Sequence, residues 1–171
     1  MNRHPSSASS RLTASPARTF EMTVRVRPGD IDEQNHVNNT VYLRWIQDVA
    51  TAHWKSLASA QSQAAIGWIV LRHEIDYKMP ASLGDQIVLR TWVGKASRLK
   101  FERFTEIHRK IDNGAGGSQT TWTGKPTRVG EPGGESINRL LAQARTLWVP
   151  VDVRTGKPTR VSAELRAQFS I

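Results

Sequence analysis

From Phe20 the chain alternates: Phe20, Met22, Val24 and Val26 are apolar, and Glu21, Thr23, Arg25 and Arg27 between them are polar. A period of two sends successive side chains to opposite faces, which predicts a half-buried β-strand over 20–26. Pro28-Gly29 stops it. Residues 30–39 are polar and turn-like. Over 40–59 the spacing becomes helical, with Val41, Tyr42, Trp45, Ile46, Val49 and Ala50 among residues that are apolar around most of the circumference. One polar stripe, Arg44, Asp48, Thr51 and Lys55, runs along this helix. Arg44 and Asp48 are one turn apart, so an ion pair between them is expected. Asn38 or Asn39 is the expected N-cap.

A helix that is apolar on most sides has to be wrapped, and the material for wrapping it follows. Strands are predicted over 66–77, 86–94, 99–111 and 138–151, with a turn over 79–85. Residues 162–169 read as a short helix capped by Ser162. Order and spacing therefore predict an α+β domain over 20–171, one long central helix embraced by a curved, mainly antiparallel five-stranded sheet. Two stretches fall outside this pattern. Residues 1–19 are rich in Ser, Ala, Arg and Pro with no acid, which predicts a disordered tail. Residues 113–136 are glycine-rich and are expected to form an inserted loop between the last two strands. A seven-residue string, Thr-Gly-Lys-Pro-Thr-Arg-Val, occurs both at 123–129 and at 155–161. One recurrence is too short to be a repeat architecture.

Composition narrows the chemistry. With 171 residues, 38% of them hydrophobic, the chain can bury one sizeable core. It has no cysteine, which rules out disulfides, thiolate nucleophiles and cysteine-ligated metals and suits a cytoplasmic protein. No apolar run is long enough to cross a membrane. The formal net charge is +9, and because only Arg3, Arg11 and Arg18 precede the first acid, Glu21, the chain from there onward carries +6 of it. That excess suits a phosphate-bearing partner. Nucleic acid is not favoured, because the six tryptophans are scattered rather than gathered on one platform. There is no Gly-x-Ser-x-Gly elbow, no phosphate loop around Lys125, and no metal-ligand spacing among His4, His53, His73 and His108. No metal or cofactor is expected.

The segment that carries chemistry runs Pro28-Gly29-Asp30-Ile31-Asp32-Glu33-Gln34-Asn35-His36-Val37-Asn38-Asn39, directly before the long helix. On composition alone, these are turn and capping residues. The same arrangement also places carboxylates beside a helix start, where backbone N–H groups lack intrahelical partners and the helix dipole is positive. Such donors stabilise the oxyanion of acyl transfer.

The segment resembles the 4-hydroxybenzoyl-CoA thioesterase-like branch of the hotdog superfamily. The likeness lies in Gly29-Asp30-Ile31-Asp32, His36-Val37-Asn38-Asn39 and Tyr42-Leu43-Arg44-Trp45. It extends to the turn within 75–85 and to the closing strand and exit over 148–158. The resemblance implies a hotdog fold and an acyl-CoA or acyl-carrier-protein thioesterase with water as second substrate. It implies a homodimer or tetramer, because hotdog edge strands pair across a two-fold axis. It casts Asp32 as nucleophile or general base, the Asn39 backbone N–H as polariser of the thioester carbonyl, and His36 as an aid to Asp32 or to water. Asp30 is then a turn or orienting residue. Lys95, Arg98 and Lys100, flanking the hairpin between the third and fourth strands, fall where relatives often contact the CoA phosphates. Many relatives have glycine where this chain has Asn35, a residue that tolerates left-handed backbone. The alternative from another class is a non-catalytic acyl-CoA binder on the same fold. A third, nucleic-acid binding through the positive charge, predicts salt-sensitive association with DNA or RNA.

Overall fold

A computed structural model describes residues 18–111 and 137–169. The expected tail over 1–19, except its last two residues, and the glycine-rich insertion lie outside these residues.

Among the described residues five antiparallel strands form one sheet in the order β1-β3-β4-β5-β2. They are β1 (Phe20–Arg25), β2 (Ile66–Tyr77), β3 (Gln86–Ala96), β4 (Phe101–Ile111) and β5 (Ile137–Asp152). Among the described residues three α-helices accompany them: α1 (Asn39–Leu57), α2 (Ala60–Ala65) and α3 (Ala163–Phe169). The sequence reading missed α2. Ser59 ends the long helical pattern and also starts the short helix, its hydroxyl accepting from the Ser62 N–H at 3.1 Å. The cap at the far end is as expected, with the Leu165 N–H donating to the Ser162 hydroxyl.

The sheet wraps α1 because each partner supplies an apolar surface of the right period. On β4, Phe101, Arg103, Thr105 and Ile107 alternate inward, and on β3 Ile87 and Leu89 do so. From α1, Val41, Tyr42, Trp45, Ile46 and Val49 fill the sheet's concave face. The second half of α1 meets a separate apolar cluster that includes Trp54, Trp148 and Phe169. The two ends of the helix therefore sit in different surroundings. Its N-terminal end faces the 28–38 loop and the turn after β2. Its C-terminal half lies against the far end of the sheet, beneath α3.

β1 and β2 are the edges of the sheet. β2 is irregular at its middle, where the register with β5 shifts between Val70 and Arg72. Ile69 and Leu71 beside this point are 48% and 57% exposed, unusual for large aliphatic residues on a strand.

Candidate functional site

The loop before α1 is held by short-range bonds that its sequence specifies. A 3-10 turn, Pro28–Asp30, ends β1. The Asp30 side chain is buried and accepts from the Arg27 N–H at 2.9 Å and from the Arg44 guanidinium. Burial alone would push the Asp30 carboxyl up, but the Arg44 hydrogen bond, the Arg27 N–H and the nearby positive charges outweigh it and hold it below the usual carboxylate value. Asp30 is thus an anchor between the loop and the helix. Its partner corrects one expectation: Arg44 reaches back fourteen residues to Asp30 rather than forward to Asp48. A buried carboxylate attracts a guanidinium more strongly than an exposed one, because less water screens the pair. Asp48 is exposed and makes no ion pair among the described residues.

Two residues on, Asp32 organises a tight loop. Its backbone N–H donates to the His36 carbonyl at 2.9 Å, and its Oδ1 accepts from the N–H groups of Gln34 (2.9 Å) and His36 (3.3 Å). Asn35 occupies the tip with φ of 60°. This left-handed conformation is one that asparagine adopts more readily than most residues, which explains how the loop closes without glycine. An Ile31–Val37 bridge ties the base of the loop. With Oδ1 held by two N–H groups, Asp32 Oδ2 has no hydrogen-bond partner among the described residues.

The helix then begins. Asn38 is the N-cap, its Oδ1 accepting from the Thr40 N–H at 2.9 Å and the Thr40 hydroxyl at 2.7 Å. The Val41 N–H donates to the Asn38 carbonyl. The Asn39 N–H, first in the helix, donates to no group among the described residues. It is therefore available to an external acceptor at the positive end of the helix dipole.

Asp32, His36 and Asn39 line one open cleft of about 440 Å³. The opposite wall comes from the end of β2 and the turn after it, with Tyr77, Lys78, Met79 and Pro80. The Tyr77 hydroxyl donates to the Asn39 carbonyl at 3.4 Å. Tyr42, at the floor, is buried, and its hydroxyl accepts from the Ala81 N–H at 3.0 Å. Burial pushes both phenols above their ordinary value, so both hydroxyls keep their protons at neutral pH. The sequence reading placed the 75–85 turn in the fold without assigning it to the site. Tyr77 and Lys78 were missed because nothing in their local pattern shows which loop the turn meets.

Lys95, Arg98 and Lys100 are exposed at the β3–β4 hairpin. β3 leaves the cleft region at Gln86, which pairs with Arg25, and carries these cations roughly 33 Å away along its length. Within one protomer they do not meet the cleft. Among the described residues no group of His, Asp and Glu is arranged to hold a metal ion, and no helix is long and apolar enough to cross a membrane.

A search of curated proteins found no match. Among solved structures, this fold is similar to an aspartate-to-asparagine variant of 4-hydroxybenzoyl-CoA thioesterase complexed with 4-hydroxybenzoyl-CoA, with TM-score 0.68 and 18% identity over 90% of this chain and 100% of that one. A thioesterase-superfamily protein from Jannaschia gives 0.67 and 18%, over 90% and 83%. A 1,4-dihydroxy-2-naphthoyl-CoA thioesterase from Synechocystis gives 0.63 and 20%, over 88% and 95%. At these identities the likeness speaks to the fold, which is the hotdog fold that the family resemblance implied. The Thioesterase-like superfamily profile matches residues 26–169, from Val26, directly after β1, to the end of α3. That match spans most of the chain and includes the whole loop-and-helix site, so the chain belongs to the Thioesterase-like superfamily.

Proposed function

We propose that this protein hydrolyses the thioester of an acyl- or aroyl-CoA, or of an acyl-carrier protein, to the free acid and the thiol. One observation carries the reading: in a member of this superfamily, Asp32 and Asn39, whose Oδ2 and N–H have no hydrogen-bond partner among the described residues, line the same cleft. The donor suits the carbonyl oxygen, whose negative charge grows as the carbonyl carbon becomes tetrahedral. The carboxylate suits either of two routes. As nucleophile, Oδ2 bonds to the carbonyl carbon, the C–S bond breaks, and the thiolate leaves and takes up a proton. Water then hydrolyses the Asp32 anhydride. As base, Oδ2 takes a proton from a water whose oxygen attacks the carbonyl carbon directly, and the thiol again departs. Both routes consume one water and use no cofactor. His36, on the cleft wall, is the group to orient that water, and Lys78 offers a cation at the rim for the carrier's phosphates.

The functional unit we propose is a homodimer formed through the β2 edges, whose exposed Ile69 and Leu71 and free backbone groups suit strand pairing with a second copy. If Lys95, Arg98 and Lys100 contact CoA, they do so from a protomer other than the one whose Asp32 acts. The setting we propose is cytoplasmic, which the cysteine-free composition suits.

The test is thiol release from a panel of aliphatic and aromatic acyl-CoAs, followed with a thiol-reactive chromophore. Turnover above the enzyme-free rate for at least one member is expected. A panel that is bound but never cleaved would leave acyl-CoA binding as the function.

A further inference from the structure

A second cavity lies at the other end of α1. It has a volume of about 240 Å³ and is walled chiefly by aromatic and aliphatic side chains, Trp54, Trp68, Trp148, Phe101 and Phe169 among them. It shares no lining residue with the Asp32 cleft. Its helix residues, Gln47 to Trp54, lie roughly 12–22 Å along α1 from Asn39. Drug-sized ligands fill about 300–1,000 Å³, so this space suits a ligand of about one ring.

The cavity is not wholly apolar. Arg103, brought to the inward face by the alternation of β4, is 7% exposed and lines it. Its Nη1 donates to the Nδ1 of His53 at 3.0 Å and to the Thr91 hydroxyl at 3.2 Å. Neither partner carries negative charge. Burial, and secondarily the Arg103 charge, pull His53 down to about 4, so the imidazole is neutral at pH 7 and its Nδ1 accepts. Burial also lowers Arg103, to about 10, and at neutral pH it still keeps its proton. No carboxylate pairs with it among the described residues. A buried cation whose partners are all neutral is costly, and an anion beside it would offset that cost. Trp68 and Trp148, two residues of the same walls, keep their indole N–H groups buried without a hydrogen-bond partner among the described residues, which makes their resonances sensitive to changes in the packing around the cavity. Exposed Gln47 and Thr51 form the entrance.

We propose that this cavity binds a small apolar monocarboxylate, its ring or branched chain among the tryptophans and its carboxylate on Arg103. The pairing is charge-assisted and shielded from water, which favours a guanidinium–carboxylate contact. The ligand is either a free acid or a carboxylate at the far end of a thioester's acyl group. The proposal does not rest on the hydrolytic reading, because binding is measured without turnover.

The experiment titrates the full chain with benzoate and with benzyl alcohol, its neutral counterpart, and follows the indole N–H resonances of Trp68 and Trp148. Benzoate is expected to bind at least about tenfold more tightly than the alcohol. In Arg103→Met that preference disappears while the alcohol still binds, and Arg103→Lys restores part of it. No benzoate binding, equal affinity for the two probes, or an unchanged preference in Arg103→Met overturns the proposal. The first two outcomes are read on the unaltered protein, so a variant that fails to fold does not protect the idea. If a thioester substrate is in hand, competition by benzoate assigns the cavity to the acyl end, and binding without competition assigns it to a free acid.

Discussion

Replacing Asp32 with asparagine separates the chemistry of that side chain from its structural work. The Oδ1 of Asp32 accepts the N–H groups of Gln34 and His36, and an asparagine oxygen can accept the same two. The loop therefore keeps its bonds, weakened only by the loss of charge on a half-exposed surface, so the stability change should stay below about 1 kcal/mol. For a chain of this size that is a shift of about 2–4 °C in Tm at most. The reacting oxygen is lost instead: position Oδ2 becomes an amide, which is neither a nucleophile nor a base. A carboxylate acting as base contributes typically ~10²–10⁴ in rate, equivalent to about 2.7–5.5 kcal/mol of barrier, and loss of a nucleophile is at least as severe. Asp32→Asn should thus lower kcat at least a hundredfold with KM little changed, measured by thiol release from the best substrate of the panel. Asp32→Ala should lose activity and also melt earlier, because it gives up both N–H contacts, worth about 1 kcal/mol each. If Asp32→Asn retains kcat within threefold of the parent, Asp32 is a loop residue and the proposed mechanism is wrong.

Three further outcomes are expected. Asn35→Val places a β-branched side chain at φ of 60° and should cost about 1–2 kcal/mol in denaturant unfolding, whereas Asn35→Gly should be nearly neutral; equal effects would show that the left-handed loop tip does not matter. Tyr42→Phe strands the Ala81 N–H in a buried site, so chemical denaturation should show a loss of about 1–3 kcal/mol, and a neutral result would mean that water replaces the hydroxyl. Asp30 has a folded-state value below its ordinary 3.8, so its contribution is fully present above that pH and is lost as pH falls through the lower folded value. The stability gap between the parent and Asp30→Asn should therefore be constant near neutrality and narrow below about pH 4, and a gap that widens on acidification would contradict the Asp30–Arg44 anchor.

The sequence alone determined what local periodicity and local chemistry can determine. Alternation over 20–26 and 71–77, and the helical spacing from 40 onward, specified the elements because each pattern corresponds to one backbone geometry. The 28–39 segment announced a loop of turn and capping residues with Asn38 or Asn39 as the N-cap, and the bonds that hold such a loop span only two to four residues. What the tertiary structure alone decided are pairings between distant residues. Arg44 has a carboxylate four residues ahead, yet takes the buried one fourteen residues behind. Tyr77 and Lys78 belong to the cleft because β2 ends beside the start of α1, and Lys95, Arg98 and Lys100 do not because β3 runs away from it. Arg103 reads in sequence as an ordinary charged strand residue, and only the wrapping of the sheet around α1 sets it beside His53 in a cavity lined by aromatic side chains. The energy of a charge depends on the water and the charges around it, and those are assembled by the fold from parts of the chain that no local pattern connects.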